Sequence, residues 1–130
     1  MNPGLTRGRL ETVQITVTED MCPSFAGATV HPTLSTVSMV YHMEWAGRKM
    51  ILPFLEDCEE GIGASICINH LAPAPVGKQV TFYAQAEDVL PRKVVCRVWA
   101  EHDKARIGEG TFTQVIAPKD GIMKRIHDMR

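Results

Sequence analysis

Only one stretch of this chain carries the spacing of a helix. From about Ser35 to Ile51 the residues Met39, Val40, Met43, Gly47 and Met50 recur at steps of three and four, which is one face of an amphipathic helix. Thr33 or Ser35 supplies an N-cap oxygen, and Pro53 cannot continue the hydrogen-bond ladder. Elsewhere the apolar residues alternate by two. Leu10 to Thr18 sets Val13, Ile15 and Val17 against Thr and Gln, as a half-buried strand does. Gly63 to Leu71 places Ile66, Ile68 and His70 on one face and Cys67 and Asn69 on the other. In Gln79 to Val89, Val80, Phe82, Ala84 and Ala86 alternate with Thr81, Tyr83, Gln85 and Glu87. Val94 to Glu101 and Arg106 to Ala117 follow after short polar turns, so the last three segments form an antiparallel meander.

The order is therefore strand, long loop, helix, four strands. A five-stranded antiparallel sheet of this length buries one face against a single long helix, giving a two-layer α+β domain. The loop from Glu19 to Pro32 is rich in Gly, Ser and Pro and is long for a compact domain, as functional loops often are. The acidic run from Glu56 to Gly61 reads as a turn, and the basic tail from about 119 to 130 as a short frayed helix. Edge strands and the second sheet face are left open, and a second copy of the chain is the natural cover.

Length and charge narrow the field further. One hundred and thirty residues make one domain, 1–130, with about two-thirds of the unfolded surface buried. A hydrophobic fraction of 45% excludes wholesale disorder. A formal net charge of −1 argues against a nucleic-acid binder with a broad basic face. Met21 to Met43 lacks Asp, Glu, Lys and Arg, but Pro23, Pro32 and its many Ser and Thr exclude a membrane span. The first residues have no apolar core of a signal peptide, so a cytoplasmic protein is expected. Cys22, Cys58, Cys67 and Cys96 show no zinc or redox spacing and read as reduced, mostly packed thiols. Among the five histidines only His42-Met43-Glu44 forms a weak cluster, so no metal site is expected.

Glu44 is the odd residue of the helix, the sole formal charge between Asp20 and Arg48. At about 100° per residue it lies beside the Val40–Met43–Gly47 stripe. A carboxylate at the edge of a core face is costly unless paired, and desolvation there raises its pKa toward catalytic use. A pair with Arg48 at i+4, or a reach to solvent, is the ordinary alternative. His70 shares the face of Ile66 and Ile68 and leaves its strand just before a Pro-rich turn. A histidine there can move a proton or orient a substrate, or be a satisfied structural group. Thr36, at the helix start, has capping as its ordinary role. Inside one regular helix, Thr36 and Glu44 stand about 12 Å apart at 1.5 Å per residue, so contact requires the chain at Thr36 to fold back.

The run MEWA on the helix, SICINHLAPAP on the next strand and Gly-Glu-Gly-Thr at 108–111 resemble the hot-dog thioesterases, above all their fluoroacetyl-CoA thioesterase branch. The likeness runs from about Val30 to Ile116. In that branch a Thr, a Glu eight residues on and a His twenty-six beyond it form the catalytic set, and these intervals fall on Thr36, Glu44 and His70. The resemblance implies a helix wrapped by a curved antiparallel sheet, a homodimer or tetramer with sites at the interface, and hydrolysis of an acyl-CoA to carboxylate and free coenzyme A. No cofactor is implied beyond the coenzyme A of the substrate. It assigns Glu44 as nucleophile or base, His70 as the proton-handling group, Thr36 as the holder of the Glu44 carboxylate, and the Gly63 N–H as an oxyanion donor.

Two departures bear on the substrate. The branch closes its pocket with phenylalanines before the Thr, where this chain has Gly27 to Pro32 with only Phe25 nearby. An arginine usual after Gly-x-Gly-Thr is Gln114 here. A short or medium acyl-CoA other than fluoroacetyl-CoA is the resulting expectation. A non-catalytic ligand-binding hot-dog module remains an alternative reading, though it has no need of Glu44. A hot-dog hydratase or dehydratase, with His31 on the loop before the helix as its histidine, is another. Arg48, Lys49, Lys78, Arg92 and Lys93 are the basic residues available to coenzyme A phosphates by composition.

Overall fold

A computed structural model describes all 130 residues. Strand β1 (Leu10–Thr16) leads through a 3-10 turn to a small hairpin of β2 (Ser24–Phe25) and β3 (Ala28–Thr29). Helix α1 (Thr36–Ile51) follows, then β4 (Glu59–His70), β5 (Gln79–Leu90), β6 (Lys93–Glu101), β7 (Arg106–Pro118) and the terminal helix α2 (Lys119–Asp128). The main sheet is antiparallel in the order β1-β5-β6-β7-β4, so β1 and β4 are its edges. No helix is long and apolar enough to cross a membrane.

The two periodicities explain the packing. Val80, Phe82, Ala84 and Ala86 of β5, and Val94, Cys96, Val98 and Ala100 of β6, all point inward and are buried. Against them α1 lays Met39, Met43, Ala46 and Met50, each fully buried. Unbranched methionines fill the uneven space between a straight helix and a twisted sheet. The small Ala84, Ala86 and Ala100 let the helix sink into the sheet. Gly47 permits a close approach of the helix to β7: a side-chain carbon there would lie 2.5 Å from the Phe112 ring.

Three expectations are corrected. The Glu19–Pro32 loop is not irregular throughout, because Ala26 at φ 53° and Gly27 at φ 81° make the turn of the β2–β3 hairpin. The acidic segment is partly strand. Glu59 and Glu60 begin β4, paired with Pro118 and Ala117, and their charges are tolerated because an edge strand faces water. The thiols are all free, but only Cys22 and Cys96 are buried, while Cys58 and Cys67 are exposed. The helix begins as its sequence dictates: Ser35, in extended conformation, accepts a hydrogen bond from the Ser38 N–H.

Candidate active site

The loop entering α1 is clamped to the loop leaving β4. Leu34 N–H donates to Ala74 O at 2.9 Å and Val76 N–H to Pro32 O at 3.0 Å, while Ser35 N–H is held by Met21 O of the 3-10 turn at 2.8 Å. Beyond β4, Leu71 N–H is held by Ile107 O. These bonds fix the first turn of the helix against the end of β4, and their result is a side-chain contact: Thr36 Oγ1 lies 2.8 Å from His70 Nδ1. Both residues line a shallow cleft with His31, Ser35 and Pro73. Burial of part of its ring lowers the His70 pKa from the ordinary 6.5, partly offset by the Ala72 backbone. Within one protomer His70 therefore favours the neutral imidazole, the form able to accept a proton.

Glu44 lies in a different groove. Two turns further along α1, it opens into a cavity of about 540 Å³ with Tyr41, Trp45, Arg48, Leu52, Gly61, Gly63, Phe112 and Gln114. The cavity lies between the exposed flank of the helix and the edge strand β4. It exists because Gly61 and Gly63 present no side chains: a carbon on Gly61 would overlap Ile51, and one on Gly63 would lie 3.9 Å from Glu44 Oε1. Beside Gly63 the β4–β7 register shifts by one residue, and such bulges are frequent next to active sites.

Two expectations for Glu44 are thereby corrected. Its side chain is exposed rather than desolvated at the core edge, because the neighbouring strand offers only glycines to cover it. It does not pair with Arg48. That guanidinium is engaged by both carboxylate oxygens of Glu60 at 3.0 and 3.2 Å, which lowers the Glu60 pKa. Glu44 is thus a carboxylate in a cavity without a cationic partner.

The assignment of Thr36 as holder of Glu44 also fails within one protomer. Both residues lie in the regular part of α1, about 12 Å apart along its axis, and Thr36 bonds His70 instead. The structure thus groups Thr36 with His70, and Glu44 with Gly63. Of the basic residues, Lys49 donates to Thr12 O and Lys78 pairs with Asp103. His42 is buried against Phe82, with Nδ1 2.7 Å from Ser38 O, and is not placed with Glu44. Sequence reasoning missed Tyr41, Trp45 and Phe112 as cavity walls. The i, i+4 spacing of Val37, Tyr41 and Trp45 was the available signal for an apolar stripe on the open side of the helix.

Comparison with known proteins bears on the family and the fold. The family model of the fluoroacetyl-CoA-specific thioesterase, FlK, matches residues 17–120. A fluoroacetyl-CoA thioesterase of Streptantibioticus cattleyicolor is 37% identical over 82 residues, 63% of this chain. The matched stretch spans 59% of that relative's length. Among solved structures, a Thermus thermophilus thioesterase superfamily member superposes with a TM-score of 0.94 at 39% identity, covering 99% of this chain and 95% of its own. A point mutant of FlK superposes at 0.91 with 27% identity, covering 99% of this chain and all of that one.

Proposed function

This chain belongs to the fluoroacetyl-CoA-specific thioesterase family, and from that premise we propose that it hydrolyses a short or medium acyl-CoA to the carboxylate and free coenzyme A. The observation that carries the proposal is the pairing of His70 with Thr36 at 2.8 Å, on a chain whose helix also presents the unpaired Glu44 to a glycine-floored cavity. Thioester hydrolysis needs a nucleophile or base at the carbonyl carbon, a proton carrier for the departing thiolate, and a donor for the developing oxyanion. Glu44 attacks the carbonyl or activates the water that does, His70 with Thr36 manages protons, and the Gly63 N–H is the oxyanion donor. All of this is acid–base chemistry of side chains, so the proposed reaction needs no cofactor beyond the coenzyme A that the substrate brings.

The site is completed by a second copy of the chain. Val37 is 80% exposed, Tyr41 56%, Trp45 49% and Ile62 41%, a row of large apolar groups alongside the open edge of β4. Isolated exposed apolar residues are ordinary, but a contiguous row beside an unpaired strand is an interface. If β4 pairs antiparallel with itself about a two-fold near Ile66 and Cys67, Gly63 and Glu44 of one protomer come opposite the partner's His70 and the partner's Thr36. The half-sites separated in one chain are then joined across the dimer. The unpaired thiols, two of them at the surface, fit a reducing, cytoplasmic setting.

Release of free thiol from a panel of acyl-CoA thioesters, acetyl to decanoyl with phenylacetyl and fluoroacetyl, tests the activity. Wild type should turn over one chain length best, and Glu44→Gln, nearly isosteric, should lose about two orders of magnitude or more. Thiol release from no member of the panel, with the protein folded and dimeric, would turn the reading to a binding module.

A further inference from the structure

Gln114 occupies the middle of β7, in register with Gly63. Its side chain is 2% exposed in the floor of the Glu44 cavity. Nε2 donates to Gly47 O at 2.8 Å. Because that carbonyl can only accept, the nitrogen end of the amide is fixed there and the group cannot be turned over. Oε1 accordingly faces the opposite way, 3.6 Å from where a side-chain carbon on Gly61 would stand. No donor in the protein reaches it, although it is not sealed from the cavity. An amide oxygen that opens into the cavity with no donor from the protein is free to accept a hydrogen bond from a ligand there.

The walls define the donor. Trp45, Leu52 and Phe112 are apolar, and a charged ammonium among them would ion-pair with Glu44 and tie up the carboxylate that must reach the thioester. An acyl carboxylate would face Oε1 and Glu44, both acceptors, while the one cation of the lining, Arg48, is already engaged by Glu60. A neutral hydroxyl fits both conditions. The Gly63 and Gly61 positions are two strand residues apart, about 6.6 Å. Subtracting a hydrogen bond of about 2.8 Å leaves about 4 Å between a carbonyl carbon at Gly63 and the hydroxyl oxygen. That is the reach of three bonds, which places the hydroxyl on the third carbon of the acyl chain.

We propose that Gln114 is a specificity-determining residue whose Oε1 selects 3-hydroxyacyl thioesters over the unsubstituted acyl-CoA, a refinement that rests on the thioesterase reading above. A site that holds a hydroxyl discriminates against the analogue lacking it, because the acceptor is then left unpaired.

The test compares 3-hydroxybutyryl-CoA with butyryl-CoA, each by kcat/KM, in wild type and in Gln114→Met, which keeps the side-chain volume. Wild type should favour the hydroxylated thioester by about three- to tenfold, the net worth of one neutral hydrogen bond. Gln114→Met should bring the ratio to about one. A purely structural role would lower both substrates together and leave the ratio intact, which overturns the proposal, as does a wild-type ratio of one or less. That wild-type ratio decides the matter even if the variant does not fold. Should wild type hydrolyse neither thioester, the thioesterase reading falls, and calorimetric titration with the two hydrolysis-inert thioethers takes over. Tighter binding of the hydroxylated thioether would then uphold the role of Gln114, and equal binding would overturn it.

Discussion

Thr36 Oγ1 sits 2.8 Å from His70 Nδ1, a contact made across 34 positions of sequence by two loops stitched backbone to backbone. A hydroxyl bonded to one imidazole nitrogen fixes the ring and leaves the other nitrogen for the substrate. Thr36→Val should therefore release the ring and reduce kcat by about ten- to a hundredfold, with little change in melting temperature because Thr36 is exposed. Thr36→Ser, which keeps the hydroxyl, should restore most of the loss. Thiol-release kinetics on the three proteins check this, and equal rates for Val and Ser would remove Thr36 from the site.

His70 titrates low in the single protomer because part of its ring is buried. If the partner's Glu44 faces it in the dimer, that carboxylate favours the imidazolium and pulls the pKa back up. Proton NMR of the His70 ring should thus show a lower pKa in Glu44→Gln than in wild type, with the variant below 6.5. The sign of the stability effect follows. A histidine with a depressed folded pKa binds fewer protons than the unfolded chain, so its contribution is present above 6.5 and lost as pH falls through it. The Glu44→Gln protein should therefore lose more stability than wild type between pH 7 and 5. Identical His70 titrations in the two proteins would mean that the groups do not meet.

Separation of Glu44 from the Thr36–His70 pair within one chain also has a genetic consequence. Glu44→Gln and His70→Ala homodimers should each be nearly inactive. In mixed dimers, a site built across the interface carries both substitutions at one position and neither at the other. Random co-assembly should hence recover about a quarter of wild-type activity, since about half of the dimers are mixed and each has one intact site. A site contained within one chain predicts no recovery at all, so co-expression with two affinity tags distinguishes the arrangements directly.

Much of this was legible because periodicity reports burial. The 3.6-residue spacing of Met39, Met43 and Met50 fixed the helix to within a residue, and the alternation in β5 and β6 named the buried face correctly. The β2–β3 hairpin was not legible, since strands of two residues are too short to alternate and Ala26 is a rare non-glycine at positive φ. The start of β4 was hidden by Glu59 and Glu60, whose charges mark an edge as readily as a turn. For the site, the 1.5 Å rise already forbade contact between Thr36 and Glu44 in one helix. The resemblance marked position 114 as a departure, but nothing in the sequence could orient its amide, because its acceptor at Gly47 lies 67 positions away.

Glycine substitutions separate the architecture of the site from its chemistry. A methyl group on Gly63 would make only van der Waals contact, 3.6 Å from the Phe112 ring and 3.9 Å from Glu44 Oε1. The fold should accept Gly63→Ala within about 0.5 kcal/mol. The methyl would nonetheless stand where the acyl carbonyl must approach Glu44, and misplacement on that scale costs about a hundredfold. Gly110, in the Gly-Glu-Gly-Thr run, is the opposite case. A side-chain carbon there would overlap the Cys67 carbonyl oxygen and lie 2.7 Å from Ile68 Cα, both backbone atoms of β4 that cannot swing aside. Gly110→Ala must part β7 from β4, at a cost of about 3 kcal/mol or more, or a fall in melting temperature of roughly 10 °C. Thermal melts paired with thiol-release rates should show Gly63→Ala stable and slow, and Gly110→Ala unstable. An active Gly63→Ala enzyme would mean that the acyl carbonyl binds elsewhere along β4.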